Sequence, residues 1–133
     1  MMSAPPYKQL EQEFKRLHAF RGAISLLNWD ASVMMPRGSA ALRGELLAAL
    51  QTEYHTLLTA PKITRLLDRA HANTQGLDDW QIANLREMRR QRDHAIATPA
   101  NLVSRLAHAT AQAEAQWLRA RSEEHTSELQ SPC

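Results

Sequence analysis

The chain has 133 residues and a formal net charge of +2; 44% of it is apolar and 23% charged. These are the proportions of a soluble folded domain, one rather than two, and not of a disordered chain. Its apolar content is 21 Ala and 18 Leu against 4 Ile and 2 Val; helices favour the first pair and strands the β-branched and aromatic residues, so a sandwich or a parallel sheet is nearly excluded and an all-α fold is expected.

Pro5 and Pro6 can open a first helix, since a first-turn residue does not need its N–H. Tyr7, Leu10, Phe14, Leu17, Ile24 and Leu27 then recur every three or four residues, with Arg21 the one polar member, which predicts a long helix over 6–29. The segment NWDASVMMPRGS breaks it, because Pro36 biases Met35 away from helical backbone and Gly38 and Ser39 offer a turn and an N-cap. A second helix is predicted over 39–59 with Leu42, Leu46, Leu50, Tyr54 and Leu57 inward. A break this short favours an antiparallel helical hairpin. Pro61 starts a short third helix carrying Ile63, Leu66, Leu67 and Ala70, which ends in HANTQG with Gly76 as a stop signal. Asp78 or Asp79 caps a fourth helix with Trp80, Leu85, Met88 and Ile96, and Thr98-Pro99 introduces a fifth with Leu102, Val103, Leu106, Ala109, Ala113 and Trp117.

Charge and composition change near the end. Residues 1–121 hold all 16 Lys and Arg and 11 of the 14 acids, a net +5, whereas 122–133 hold three acids and no base. The last twelve residues contain one large aliphatic, Leu129, so they are expected to form a disordered tail outside a helical region spanning 1–121. The single cysteine, Cys133, cannot form an internal disulfide or a Cys-based zinc cluster. No apolar run approaches the ~20 residues of a membrane span, and Met1 to Pro6 lacks the features of a signal peptide. The cytoplasm is the expected compartment.

Catalytic motifs are missing. No two of the six histidines stand at the i, i+4 spacing of a helix-borne metal pair; RSEEH at 121–125 would become H-x-x-E-H only with His at Arg121. No G-x-S-x-G elbow or glycine-rich phosphate loop occurs. His18 and His108 lie on or beside apolar stripes and read as ordinary histidines. Arg86, Arg89, Arg90 and Arg92 make the fourth helix the most basic. They read either as a phosphate-binding face for nucleic acid, or an acidic protein, or as a solvated face with local pairs such as Arg89 to Asp93. Few aromatics interleave them, which argues against base stacking. Trp29, Met34 and Met35 are bulky apolar groups in a connection, and either fold back on the core or pack against a further surface.

The segment 26–50 closely resembles the N-terminal signature of the carboxypeptidase Taq family of metallopeptidases. The matching elements are Leu27, Trp29-Asp30, Met35-Pro36, Gly38, Ala40, Arg43 and Leu50. Pro99, Leu102-Val103, Leu106, Ala109, Trp117 and Ala120-Arg121 resemble that family's next recurring block. The resemblance implies the N-terminal helical part of a large, mostly helical, cytoplasmic and homodimeric zinc enzyme that removes C-terminal residues from peptides. It further implies zinc held by an H-E-x-x-H helix and a downstream Glu, with the motif's Glu as general base. None of those motifs occurs in this sequence, so no catalytic or metal-binding residue carries over and the chain by itself is expected to be inactive. Trp29, Asp30, Met35, Pro36, Gly38 and Arg43 are left as signature residues with a structural or cleft-packing role. Arg121 to Ser131 also resembles the translation of a short-read sequencing adapter, which implies that residues 122–133 are not native.

Overall fold

The computed structural model describes residues 5–129, with side chains described as far as Glu124. Among these residues the fold is all-helical: α1 (Pro6–Val33), α2 (Ala40–Leu58), α3 (Pro61–Ala72), α4 (Asp79–Ile96) and α5 (Ala100–Leu129), with a 3-10 turn at Arg37–Ser39.

Each boundary has a local cause. Pro6 opens α1 and Pro61 opens α3, where no N–H is required. α1 runs past residue 29 to Val33, because no breaker stands before Pro36; the Met34 and Met35 N–H groups both donate to the Asp30 carbonyl at 2.9 and 2.8 Å and close the helix. Ser39 occupies the N-cap position of α2, but its side chain makes no capping bond. The 3-10 turn before it winds directly into the helix, with the Ser39 N–H donating to the Pro36 carbonyl at 2.9 Å. Asp78 caps α4 through a full capping box: its Oδ1 accepts from the Gln81 N–H at 2.8 Å, and its own N–H donates to Gln81 Oε1 at 3.0 Å. Gly76 sits at φ +81° in the α3–α4 turn, a conformation that favours glycine.

α1 and α2 form the expected antiparallel hairpin, and α5 lies antiparallel along the other side of α2: Arg37 meets Ser122, Gly44 meets Ala111, and His55 meets Thr98. α3 packs on α1 and on α4. The largest core cluster joins α1, α3 and α4 through Tyr7, Leu10, Ile63, Leu66, Leu67, Ala70, Leu85 and Met88, with Phe14 and Leu77 against it. A second apolar layer lies between α2 and its neighbours, where Gly44, Leu47, Ala48, Leu58 and Ala107 are buried.

Three expectations are corrected. In α2, Leu42 is 61% exposed and Leu46 is also exposed. The helix is held between α1 and α5, and its inward arc centres on Gly44, Leu47 and Ala48 instead. In α4, Trp80 is 86% exposed and Ile96 is exposed, and the buried residues of this helix are Leu85 and Met88. In α5, Leu102, Leu106 and Trp117 face outward, and the small residues Ala107 and Ala111 meet α2. The chain also differs from expectation at 122–129, which continue α5 rather than leaving it, since no Gly or Pro interrupts the sequence before Pro132. Residues 130–133, the rest of the expected tail, lie outside the described residues.

Candidate functional site

The signature residues gather at one end of the bundle, where α1 turns into α2 and the C-terminal half of α5 runs past. Asp30 lies in the last turn of α1 and Arg43 in the first turn of α2. The Arg43 guanidinium donates to Asp30 Oδ2 through Nε at 2.7 Å and lies 2.5 Å from it through Nη2. Both side chains are about a quarter exposed, so the pair is partly shielded from water. Met35, Arg43 and Leu47 line one wall of a cleft of about 310 Å³, and Ala111, Trp117 and Leu118 of α5 line the other. The Arg121 guanidinium lies 5.3 Å from the Trp117 ring centroid, within range of a cation–π contact. Pro36 and Gly38 are exposed in the connection, and an added Cβ at Gly38 meets open space.

Of the three apolar turn residues, only Met35 is turned partly inward; Trp29 and Met34 are exposed. The turn therefore does not fold back on the core as a unit. The structure places Met35 and Arg43 in the cleft wall, with Asp30 bonded to Arg43, and leaves Trp29, Pro36 and Gly38 exposed.

The arginine run of α4 is largely engaged within the protein. Arg89 reaches across to Asp68 of α3 at 2.7 Å rather than along its own helix to Asp93. Arg92 bonds Asp93 at 2.9 Å and Thr64 Oγ1 at 2.7 Å. Arg90 binds both carboxylate oxygens of Glu87 at 2.7 Å. That pairing, with a further bond from Gln91, holds the Glu87 carboxyl down to about 2 and raises the Arg90 guanidinium. Arg86 is exposed. Most of the charge that a phosphate backbone would need is thus already neutralised by neighbours.

Sequence reasoning missed His55. Its Nε2–H donates to the Ala95 and Thr98 carbonyls, each at 2.9 Å, and so closes the C-terminal end of α4 from α2. Its Nδ1 is buried without a hydrogen-bond partner. Only the run Ala97-Thr98-Pro99, which must leave helix carbonyls unpaired, hints at such a donor in the sequence. His108 donates through Nδ1 to the Ser104 carbonyl at 2.9 Å, with Nε2 3.4 Å from Glu45.

Among the described residues no three His, Cys, Asp or Glu side chains converge on a point that could hold a metal ion. The donor set of a zinc centre is not met there, and no catalytic step is assigned to these residues. No helix among them is long and apolar enough to cross a membrane.

Comparison with known proteins bears directly on this region. The family model of the carboxypeptidase Taq (M32) metallopeptidases matches residues 9–131. Thermostable carboxypeptidase 1 of Thermus thermophilus is 32% identical over 112 residues, covering 82% of this chain and 22% of that protein. Thermostable carboxypeptidase 1 of Pyrococcus furiosus is 25% identical over 123 residues, covering 92% of this chain and 24% of that protein. The chain thus spans less than a quarter of the length of either relative. No solved structure matches it. With the family model matching residues 9–131 of 133, the chain belongs to the carboxypeptidase Taq (M32) metallopeptidase family.

Proposed function

We propose that this chain is the N-terminal helical portion of a zinc-dependent metallocarboxypeptidase that releases C-terminal amino acids from peptides, and that by itself it is inactive. The observation that carries this reading is the family match over residues 9–131 combined with coverage of only 22% and 24% of the two relatives. The second half rests on the sequence, which carries no H-E-x-x-H motif. In the whole enzyme the chemistry would be hydrolysis by a zinc-activated water, with zinc ligands and general base lying outside this sequence. A cytoplasmic homodimer acting on peptides is part of the same reading.

The test is direct. The purified 133-residue chain is loaded with zinc, dialysed, and assayed for bound metal and for release of C-terminal residues from a peptide. Neither stoichiometric zinc nor turnover is expected; finding both overturns the proposal. The boundary at residue 121, with 122–133 as foreign sequence, rests on the adapter resemblance, and both α5 and the family match run past it. Long-read sequencing of the source DNA across codon 121 tests it. A frame that continues into an H-E-x-x-H helix is expected, and a genuine stop after Cys133 overturns it. A nucleic-acid reading finds no comparable support, since three of its four arginines are committed to Asp68, Glu87, Asp93 and Thr64.

A further inference from the structure

α5 is apolar on two opposite faces, and the chain covers only one. Its inner face meets α2 through Ala107, Ala111 and Ala115, with an added Cβ at Gly44 standing 3.3 Å from the Ala111 Cβ. At about 100° per residue, Leu102 lies about 180° around the helix from Ala111. Leu106, Ala109 and Ala113 fall on the same outer side, and Trp117 lies at its edge. All five are exposed, Leu106 by 60% and Trp117 by 59%. A helix with one partner needs one apolar stripe; a helix apolar on two sides belongs in an interior with neighbours on both.

The uncovered surface does not stop at α5. Trp117 and Met35 line the same cleft, and Val33 and Leu118 line its continuation. Trp117, at the edge of the outer face, thus stands beside the hairpin tip, where Trp29, Val33 and Met34 are also exposed. This is a long apolar seam of the kind that a free domain seldom presents to water.

We infer that this seam, Leu102, Leu106, Ala109, Ala113 and Trp117 with the hairpin tip, is where the helical segment docks against the remaining body of a carboxypeptidase of this family. The inference rests on the functional reading above. Its occupant follows from length: more than three-quarters of each relative lies outside the matched stretch, whereas the matched stretch includes α5. The body of such an enzyme is the apolar mass available to a helix that its own segment covers on one side only. The partner surface is expected to be apolar and helical, meeting the alanines at close range and accepting Leu106 and Trp117 as knobs.

The experiment uses a chimaera in which this chain replaces the matched segment of the Thermus thermophilus relative, alongside the free 133-residue chain. Leu106→Glu with Ala113→Glu places two charges on the seam; Leu106→Gln is the milder variant, and Arg16→Glu, exposed on α1, is the control. In the chimaera the double variant is expected to lower carboxypeptidase turnover on the order of tenfold or more, with a lower Tm. Leu106→Gln is expected to fall between, and the control to change neither. In the free chain the same double variant is expected to leave helix content and Tm in place and to reduce binding of an apolar dye, because there the seam is already in water. An active chimaera whose double variant is as active and as stable as its parent overturns the inference and leaves the functional reading standing. A free chain that sediments as a stable dimer, dissociated by the double variant, also overturns it by making a second copy the occupant. A parent chimaera that folds but has no carboxypeptidase activity counts against the functional reading itself.

Discussion

Asp30 and Arg43 clasp the hairpin at its turning point: one carboxylate oxygen, Asp30 Oδ2, receives both Nε and Nη2 of the guanidinium, at 2.7 and 2.5 Å. The same Asp30 contributes its main-chain carbonyl to the two N–H groups that end α1. One residue thus terminates a helix with its backbone and fastens the next helix with its side chain. Because the pair is only partly shielded, its net worth is at most about 1 kcal/mol. Arg43→Ala and Asp30→Ala are each expected to destabilise by an amount of that order and to be non-additive together. A double-mutant cycle by urea unfolding checks this, and strict additivity would show that the two side chains are not coupled.

The α2–α5 contact depends on Gly44 in a different way. With an added Cβ only 3.3 Å from the Ala111 Cβ, there is no room at this crossing for a larger side chain. Gly44→Leu is expected to push the helices apart and to destabilise by about 1–3 kcal/mol, despite leucine's better helix propensity. The same substitution at Gly22, where an added Cβ meets nothing within 4 Å, is expected to be neutral or stabilising. Thermal unfolding of the two variants side by side decides between close packing and simple propensity.

These two positions show what the sequence could and could not reveal. α3 was legible to its individual buried residues, because Ile63, Leu66, Leu67 and Ala70 form a single stripe facing the α1–α4 core. The cap of α4 was legible as Asp78 or Asp79 because capping chemistry is local, and the structure chooses Asp78. α2 and α5 were legible as helices but not as faces. An Ala- and Leu-rich helix with apolar residues on more than one side offers several stripes, and only the partner chooses among them. Leu102, Leu106 and Trp117 made the more conspicuous stripe on α5, yet the structure turns small alanines toward α2. Arg89 misled for a related reason: spacing along one helix favoured Asp93, and the third dimension supplied Asp68. Asp30 and Arg43 were both singled out by the family resemblance, but nothing in their thirteen-residue separation announced that they pair.

His55 makes a prediction about local stability. The Ala95 carbonyl also accepts from the Thr98 N–H at 3.1 Å, whereas Thr98's own carbonyl is bonded by the His55 ring. His55→Leu keeps apolar bulk and removes the donor, leaving the end of α4 short of a partner at a cost of about 1–3 kcal/mol. The loss should be uneven. Amide hydrogen exchange is expected to quicken at Ala97 and Thr98 and to stay unchanged in α3. Uniform quickening throughout the bundle would assign His55 a global packing role instead.

Acid should weaken the bundle in two separate windows, at the α3–α4 contact through His71 and within α4 through Glu87. Partial burial, followed by the nearby Arg89 charge, lowers the His71 pKa below 6.5, against a smaller opposing effect of Asp68. The folded state therefore binds fewer protons than the unfolded chain, so stability rises with pH across this window. The contribution is complete above pH 6.5 and is lost as pH falls from there through the folded pKa. Glu87 has the same sign at lower pH: held at about 2 by Arg90 and Gln91 against an ordinary 4.5, its contribution is complete above 4.5 and fades toward 2. His71→Gln is expected to flatten the pH dependence of urea unfolding just below pH 6.5 without touching the more acidic limb, and Arg90→Ala to do the reverse. NMR titration provides the site-specific check: the His71 midpoint should lie below 6.5 and should rise in Arg89→Ala, because the lowering charge is removed. A midpoint that does not move in Arg89→Ala would leave burial as the sole cause of the shift.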